Sequence, residues 1–307
     1  MVSAERSFGK FGNIAATFYL RRTNHQFESL NINAPLPGTY NPAVPSSGTR
    51  PFGGTQNIYE FSSDGVSNGH TFNINANINL SKKLNFWASF NAGHQESDSS
   101  GAGSFVSNSY VVQDDAGRAS GYSPRQFYGG INLNPNRDLN FNLFVADRSA
   151  SNFNITTGQD NNGDGQYNDR PAFATSSTLP ASLVKTAYGN FDTSPTPGET
   201  IIPINYGTAP GQLYMELNFN KTFRFGPRPE APAPAAGSAP ATKADAPPPR
   251  YRIQLGAEID NPLNMVNPGT PVGVLTSPNF GHSISLNNNF SGTSTNRTLF
   301  FRTVFGF

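Results

Sequence analysis

The sequence of 307 residues contains no cysteine, which excludes disulfide bonds, thiolate zinc sites and cysteine nucleophiles. Charged residues make up 13% of the chain, against ~25% in typical globular proteins. A formal net charge of +1 argues against a general nucleic-acid partner. No apolar run reaches the roughly 18 residues of a transmembrane helix. P-loop, dinucleotide-binding and serine-hydrolase motifs are missing as well, so we expect no enzymatic activity.

Alternation of apolar and polar residues is the dominant pattern in the sequence. Between residues 72 and 80, phenylalanine, isoleucine, alanine and leucine alternate strictly with asparagine. This period of two predicts a strand with one apolar face. Seven further segments follow the same rule, at 14–20, 84–92, 127–133, 139–145, 213–225, 251–259 and 299–307. The sequence therefore predicts an all-β, antiparallel fold of eight strands, each about ten residues long.

The connections between these strands alternate in length along the chain. The long ones are 31–69, 99–124, 158–211 and 261–297, and the short ones include 81–83 and 134–137. Compact soluble domains rarely hold several loops longer than ~15 residues, whereas outer-membrane barrels combine short periplasmic turns with long extracellular loops. Residues 1–307 are therefore predicted to form the wall of a transmembrane β-barrel, in contact with outer-membrane lipid.

A soluble β-sandwich is the alternative, because it shows the same alternation. The uneven loop lengths and polar faces rich in asparagine, serine, threonine and glycine favour the barrel. The last strand favours it too, since its apolar face carries Leu299, Phe301, Phe305 and Phe307. In lipid such a strand must pair with another strand, and terminal aromatic residues suit the interfacial girdle of a barrel.

One connection departs from this scheme. Residues 226–250 are rich in proline and alanine and fall where a short periplasmic turn is expected. This composition cannot pack a core. Because period-two strands resume on both sides, the segment is interpreted as an insertion at a turn and not as a domain boundary.

An acidic segment within the third long connection resembles the opening of a calcium loop. Asp160, Asn162 and Asp164 place side-chain oxygens at alternate positions, followed by glycine at 165 for a sharp turn. The glutamate expected at the twelfth position is absent, and Asp169 is the candidate to replace it. The alternative is an Asx-rich surface turn in which Asp169 pairs with Arg170 or Arg224. Calcium is the one cofactor that the sequence suggests.

Two further groups of residues are candidates for ligand contact. Polar side chains on the inward face of the strands are predicted to line a hydrated lumen or to contact a plug domain. Aromatic residues in the long loops offer stacking surfaces for an extracellular ligand such as a sugar, although loop packing is the favoured interpretation. These aromatic residues are Tyr40, Phe52, Tyr59, Phe61, Tyr110 and Tyr122.

Three parts of the sequence resemble one family of outer-membrane proteins. They are 161–171 with 187–192, then 210–226, and finally 261–264 with 269–281 and the terminal phenylalanine strand. Together they resemble the C-terminal part of TonB-dependent receptor-like proteins, specifically the Oar-like group with a carboxypeptidase-regulatory-like domain found in acidobacteria. The likeness covers residues 125–307 well and the first third more weakly.

This resemblance implies a 22-stranded barrel in the cell outer membrane, of which the chain would supply about the last eight strands. Its implied partners are the barrel-assembly machinery, an unknown extracellular ligand and the TonB complex. The TonB complex would be reached only through a plug domain, which the sequence lacks, together with a signal peptide and a TonB box. A second hypothesis is a stand-alone small barrel or a soluble β-rich adhesin whose loops bind carbohydrate.

Overall fold

The computed structural model describes residues 1–228, 249–287 and 296–307, and this part of the chain is all-β. Two short 3-10 turns, Gly9–Phe11 and Val112–Asp115, accompany the strands. None of the described residues forms a helix of the length and apolarity needed to span a membrane. Most of the predicted insertion at 226–250 lies outside the described residues. The strands are β1 (Val2–Ser7), β2 (Gly12–Asn31), β3 (Tyr59–Ser81), β4 (Leu84–Ser97), β5 (Gly117–Arg118), β6 (Arg125–Asn136), β7 (Leu139–Arg148), β8 (Asn152–Phe153), β9 (Ala172–Phe173), β10 (Leu183–Thr186), β11 (Gly189–Asp192), β12 (Gly207–Thr208), β13 (Gln212–Phe225), β14 (Tyr251–Asp260) and β15 (Thr298–Gly306).

One large antiparallel sheet dominates the fold, in the order β1-β2-β3-β4-β6-β7-β13-β14-β15. The short strand β5 pairs with the C-terminal end of β4. The connections 32–58, 98–124, 149–211 and 261–297 all leave the same end of the sheet, and the short turns all lie at the opposite end. The predicted all-β, antiparallel class is therefore confirmed.

The sheet contains a strand that the sequence did not predict. β1 pairs with β2 in register from Val2 with Phe18 to Ser7 with Asn13. It was missed because Arg6 lies on the face that Val2 and Ala4 would otherwise make apolar. Within the described residues, β1 pairs only with β2 and β15 pairs only with β14, so no ladder joins the two flanks of the sheet.

One face of the sheet is apolar and uncovered. Cross-strand rows such as Leu133–Phe141–Phe219 continue this face from strand to strand. The side chains of Phe72, Phe141 and Phe301 are 40%, 38% and 79% exposed. In a β-sandwich these side chains would be buried against a second sheet. An apolar surface of this extent indicates contact with a membrane or another protein.

The opposite face is a ladder of amide side chains. In one row, Asn85, Asn132, Asn142 and Asn218 stand opposite one another on four neighbouring strands. The Asn132 Nδ2 atom donates to the Oδ1 atom of Asn85 at 3.2 Å. The amide groups satisfy one another over most of this face, and Glu216 and Glu258 on β13 and β14 add acidic groups to it.

The long connections have a hydrophobic core of their own. Phe153, Ile155, Phe191, Ile202 and Leu275 are buried together, and they come from the connections 149–211 and 261–297. Two small sheets, β10-β11-β9 and β12-β8, lie in the same region. The loops therefore form a packed layer at one end of the main sheet, and this layer positions the candidate site.

Candidate functional site

A cleft of about 1060 Å³ opens between the connections 32–58, 98–124 and 149–211. Prolines from the first and third connections line part of its wall, and Tyr40 and Tyr110 add two phenol rings. The remaining wall is polar and includes Asn162, Asp164 and Asp169. The cleft therefore has the features of a ligand site, with apolar surfaces for packing and a few polar groups for orientation.

The acidic segment forms a compact turn on the wall of this cleft. Asp160 accepts hydrogen bonds from the backbone N–H of Gly163 at 2.6 Å and of Gly165 at 2.9 Å. Gly163 and Gly165 have φ of 77° and 82°, the left-handed conformation that glycine adopts without steric cost. Asp164 accepts from the N–H of Gln166 at 2.7 Å. The residues between 160 and 166 thus fold as linked Asx turns.

Asp169 closes the turn. Its Oδ2 atom accepts from the backbone N–H of Asn161 at 2.7 Å, and its Oδ1 atom accepts from Nδ2 of Asn162 at 3.2 Å. Burial, together with the charges of neighbouring acidic residues, raises the pKa of Asp164 to about 6 and the pKa of Asp169 to about 7. The structure therefore brings together all four predicted residues, Asp160, Asn162, Asp164 and Asp169.

Calcium binding by this turn stays a prediction. The carboxylates accept backbone and amide N–H groups, which favours a self-contained turn over an open cation site. Among the described residues, the group of three acidic side chains whose oxygens all lie within 4.8 Å is Glu216, Glu258 and Asp260. Sequence reasoning missed this group because its members lie on two strands, where the register of β13 with β14 brings them together.

The predicted ion pairs of Asp169 are wrong. Arg170 instead pairs with Asp115, and its Nη2 atom lies 2.8 Å from the Oδ1 atom of Asp115. Arg224 lies at the short-turn end, where its Nε atom is 2.6 Å from Asp138 Oδ1. This hydrogen bond is the main cause of the lowered pKa of Asp138. Asp169 does not need either arginine, since its oxygens are satisfied inside the turn.

The first connection is fastened to the acidic turn by residues that the sequence analysis did not single out. Arg50 donates to the carbonyl oxygen of Gly163 at 2.8 Å and to that of Asn33 at 2.6 Å. The Nδ2 atom of Asn31 donates to the carbonyl oxygen of Asp164 at 2.7 Å. The second connection is joined through Asn162, whose Nδ2 atom donates to the carbonyl oxygen of Ser107 at 2.8 Å. The acidic turn therefore holds three loops around one cleft.

A buried carboxylate lies next to this region. Glu28 is 1% exposed, and neither of its side-chain oxygens has a hydrogen-bond partner. It lies on β2 beyond the apolar rows, under the start of the second connection, where the backbone N–H of Ser29 donates to the carbonyl oxygen of Ser104 at 3.1 Å. Burial, together with the charges of Asp98, Asp64 and Asp115, raises the pKa of Glu28 to about 7.

The predicted loop aromatics have different positions. Tyr40 and Tyr110 line the cleft. The predicted loop 31–69 is too long, because β3 begins at Tyr59, and Tyr59 and Phe61 are strand residues. Tyr59 packs edge-on against Phe105 of the second connection at 4.7 Å between ring centroids. Phe52 and Phe61 are largely exposed. Two of the six aromatic residues that were predicted to contact a ligand therefore line the cleft.

The predicted residues of the last strand lie on the apolar face. Leu299, Phe301 and Phe305 stand opposite Ile259, Ala257 and Ile253 of β14. Phe307 follows the strand, and its ring centroid is 6.2 Å from that of Phe305. All four predicted side chains are exposed.

The arrangement of the strands has a counterpart among solved structures. The crystal structure of the outer membrane transporter YddB from Escherichia coli superposes with a TM-score of 0.51 and covers 99% of this chain. The fold resembles part of an outer membrane transporter. The sequence identity is 11%, so the likeness concerns the fold alone, and the match spans 31% of the transporter's chain. No protein-family model and no curated protein matches the sequence.

Proposed function

We propose that this chain forms part of the wall of an outer-membrane transporter barrel and that its loop layer captures a ligand. The uncovered apolar face carries this proposal, because exposing Phe72, Phe141 and Phe301 to water would destabilise a soluble sheet. The likeness to an outer membrane transporter supports the same conclusion at the level of the fold.

The finer proposal is that the complete protein is a TonB-dependent receptor of the Oar-like type. The sequence segments described above support it, as does the division of the sheet into short turns at one end and long loops at the other. In this proposal the TonB complex would act through a plug domain, and the barrel-assembly machinery would recognise the last strand. The role is one of binding and transport, without a catalytic step.

The cleft is the proposed place of ligand capture. Its wall carries the carboxylates of Asp114, Asp164, Asp169 and Glu199, and its arginine, Arg170, is already paired with Asp115. The excess of acidic groups disfavours an anionic ligand. We therefore propose that the ligand is polar and either neutral or cationic, and that it packs against Tyr40 and Tyr110.

The absence of cysteine makes a direct test of the wall straightforward. Single-cysteine variants Phe141→Cys and Asn142→Cys place one spin label on each face of β7. After reconstitution of the full chain in bilayers, we expect the label at 141 to be accessible to lipid-dissolved oxygen. The matched label at 142 is expected to be accessible to a water-soluble nickel complex. Equal access of the nickel complex to both labels, or a monomer that stays soluble without detergent, would contradict the proposal and favour a soluble adhesin.

A further inference from the structure

The short-turn end of the main sheet is strongly basic. Lys10 lies in the turn between β1 and β2, Lys82 and Lys83 lie between β3 and β4, and Arg137 lies between β6 and β7. All four side chains are exposed. Because the strands are antiparallel, these turns lie side by side along one edge of the apolar face.

Two strand residues extend this basic surface onto the apolar face itself. Arg6 stands opposite Ile14, and Lys221 stands between Leu139 and Leu255. We call the six residues Arg6, Lys10, Lys82, Lys83, Arg137 and Lys221 the basic belt. The basic belt lies at the short-turn edge of the apolar face, which is the surface proposed to contact hydrocarbon.

Acidic groups neutralise the belt only in part. Of the described residues at this end, Asp138 is bound to Arg224 on the inward face at 2.6 Å and forms a longer, exposed pair with Arg137 of the belt at 3.6 Å. Glu5 stands opposite Ala15, on the face away from Arg6, and accepts from Nδ2 of Asn13 at 2.8 Å. At the loop end the same outward face carries both signs of charge, since Arg22 and Arg125 are accompanied there by Asp147 and Glu96, and Glu96 pairs with His94 at 3.0 Å. The excess of basic over acidic side chains is therefore larger at the short-turn end of the sheet.

Basic and aromatic side chains are paired along this edge. Arg6 lies over the ring of Phe8 at 5.6 Å, and Lys10 lies over the ring of Phe11 at 5.5 Å. Lys221 lies over the ring of Phe223 at 5.7 Å. Long basic side chains rest their apolar stems on such surfaces while the charged groups reach polar surroundings, and aromatic rings prefer the boundary between hydrocarbon and water. The pairs mark the depth of a membrane interface.

We propose that the basic belt binds the phosphate groups of anionic phospholipids in the leaflet that surrounds the short turns. The proposal rests on the membrane location proposed above. A cationic group next to an anionic bilayer surface gains about 1 kcal/mol, and this attraction is screened by salt. Anionic lipid should therefore be enriched around the chain, and the enrichment should depend on these side chains.

The test measures which lipids contact the protein. The full chain is reconstituted in phosphatidylcholine bilayers that contain trace spin-labelled phosphatidylglycerol or spin-labelled phosphatidylcholine, and the motionally restricted fraction of each is compared. We expect the wild-type chain to prefer phosphatidylglycerol about threefold or more, since ~1 kcal/mol corresponds to roughly fivefold. The triple variant Lys10→Gln, Lys82→Gln, Lys83→Gln should lower the ratio of restricted phosphatidylglycerol to restricted phosphatidylcholine towards one. About 0.5 M salt should do the same, because it screens the attraction.

A charge-matched control separates a local effect from net charge. The triple variant Arg125→Gln, Lys185→Gln, Arg297→Gln removes the same charge from exposed positions outside the belt, at or among the long loops. It should keep the wild-type preference. Equal restriction of the two lipids by the wild-type chain, or equal losses in the two triple variants, would overturn the proposal. The absence of any restricted lipid would instead contradict the membrane wall itself.

Discussion

Arg170 and Asp115 form an ion pair of 2.8 Å in the interior of the loop layer, where their side chains are 3% and 6% exposed. Arg170 also donates to the carbonyl oxygen of Ile202 at 2.7 Å, so one guanidinium joins the second and third long connections. The two residues are far apart in sequence, and the pair fixes the relative position of two walls of the cleft.

Removal of this arginine should loosen the loop layer. We expect Arg170→Ala to destabilise the loops by about 3–5 kcal/mol, because the Asp115 carboxylate would remain buried without its partner. Hydrogen exchange should then speed up in 98–124 and 149–211 while the exchange of β6 and β7 stays unchanged. Arg137→Ala is the control, since Arg137 forms only a surface pair with Asp138 at 3.6 Å and should cost at most about 1 kcal/mol. Equal exchange rates in wild type and Arg170→Ala would contradict the role of the pair.

Glu28 should make the stability of the chain depend on pH. Its pKa is raised from 4.5 to about 7, so the folded state binds the proton more tightly than the unfolded state. The stabilisation is complete below pH 4.5 and is lost as the pH rises towards 7. Glu28→Gln should therefore increase the free energy of unfolding at pH 8 by about 1–3 kcal/mol and change it little at pH 4. Denaturant titrations in detergent at the two pH values measure the difference. A variant that is destabilised equally at both would show that Glu28 is held by contacts and not by its protonation.

A charge on the apolar face should cost more than the same charge on the polar face. Leu217 and Asn218 are neighbours on β13, and their side chains point to opposite faces. In a bilayer we expect Leu217→Arg to reduce stability by about 2–4 kcal/mol, as for lipid-facing positions of membrane barrels. Asn218→Arg should be tolerated, because Glu258 stands opposite it on β14. Equal costs for the two variants, measured by refolding into vesicles across a urea series, would exclude a lipid-facing position for Leu217.

Calcium provides the test of the acidic turn. If Asp160, Asn162, Asp164 and Asp169 supply oxygens to the ion, millimolar calcium should raise the unfolding temperature of the loop layer by several degrees. Asp164→Asn should abolish this shift, and magnesium should not reproduce it. Thermal unfolding with and without chelator measures the effect. An unchanged unfolding temperature at millimolar calcium would leave the segment as a set of Asx turns.

The sequence predicted most strands of the main sheet because a strand's alternation follows directly from the pleat. Residues such as Phe141 and Asn142 fall on opposite faces whatever their neighbours are. β1 was missed for the same reason, since Arg6 on the apolar face breaks the alternation. The turn at 160–169 was also accessible, because its hydrogen bonds join residues that are close in sequence.

The contacts between loops could not be predicted in this way. Asp169 was expected to pair with its neighbour Arg170 or with Arg224. Arg170 instead pairs with Asp115, which lies 55 residues away in sequence. The contact of Asn31 with the backbone of Asp164 spans 133 residues. Such pairs depend on how separate connections pack over the sheet, and neither periodicity nor local spacing carries that information.

The bare flanks of the sheet determine what the chain requires of its surroundings. β1 and β15 each have one neighbour among the described residues, so the outer edge of each presents unpaired backbone N–H and C=O groups. Hydrocarbon offers these groups no hydrogen bond, at a cost of several kcal/mol for each. In a bilayer both edge strands must therefore pair with further strands. In water the same edges would favour self-association between copies of the chain.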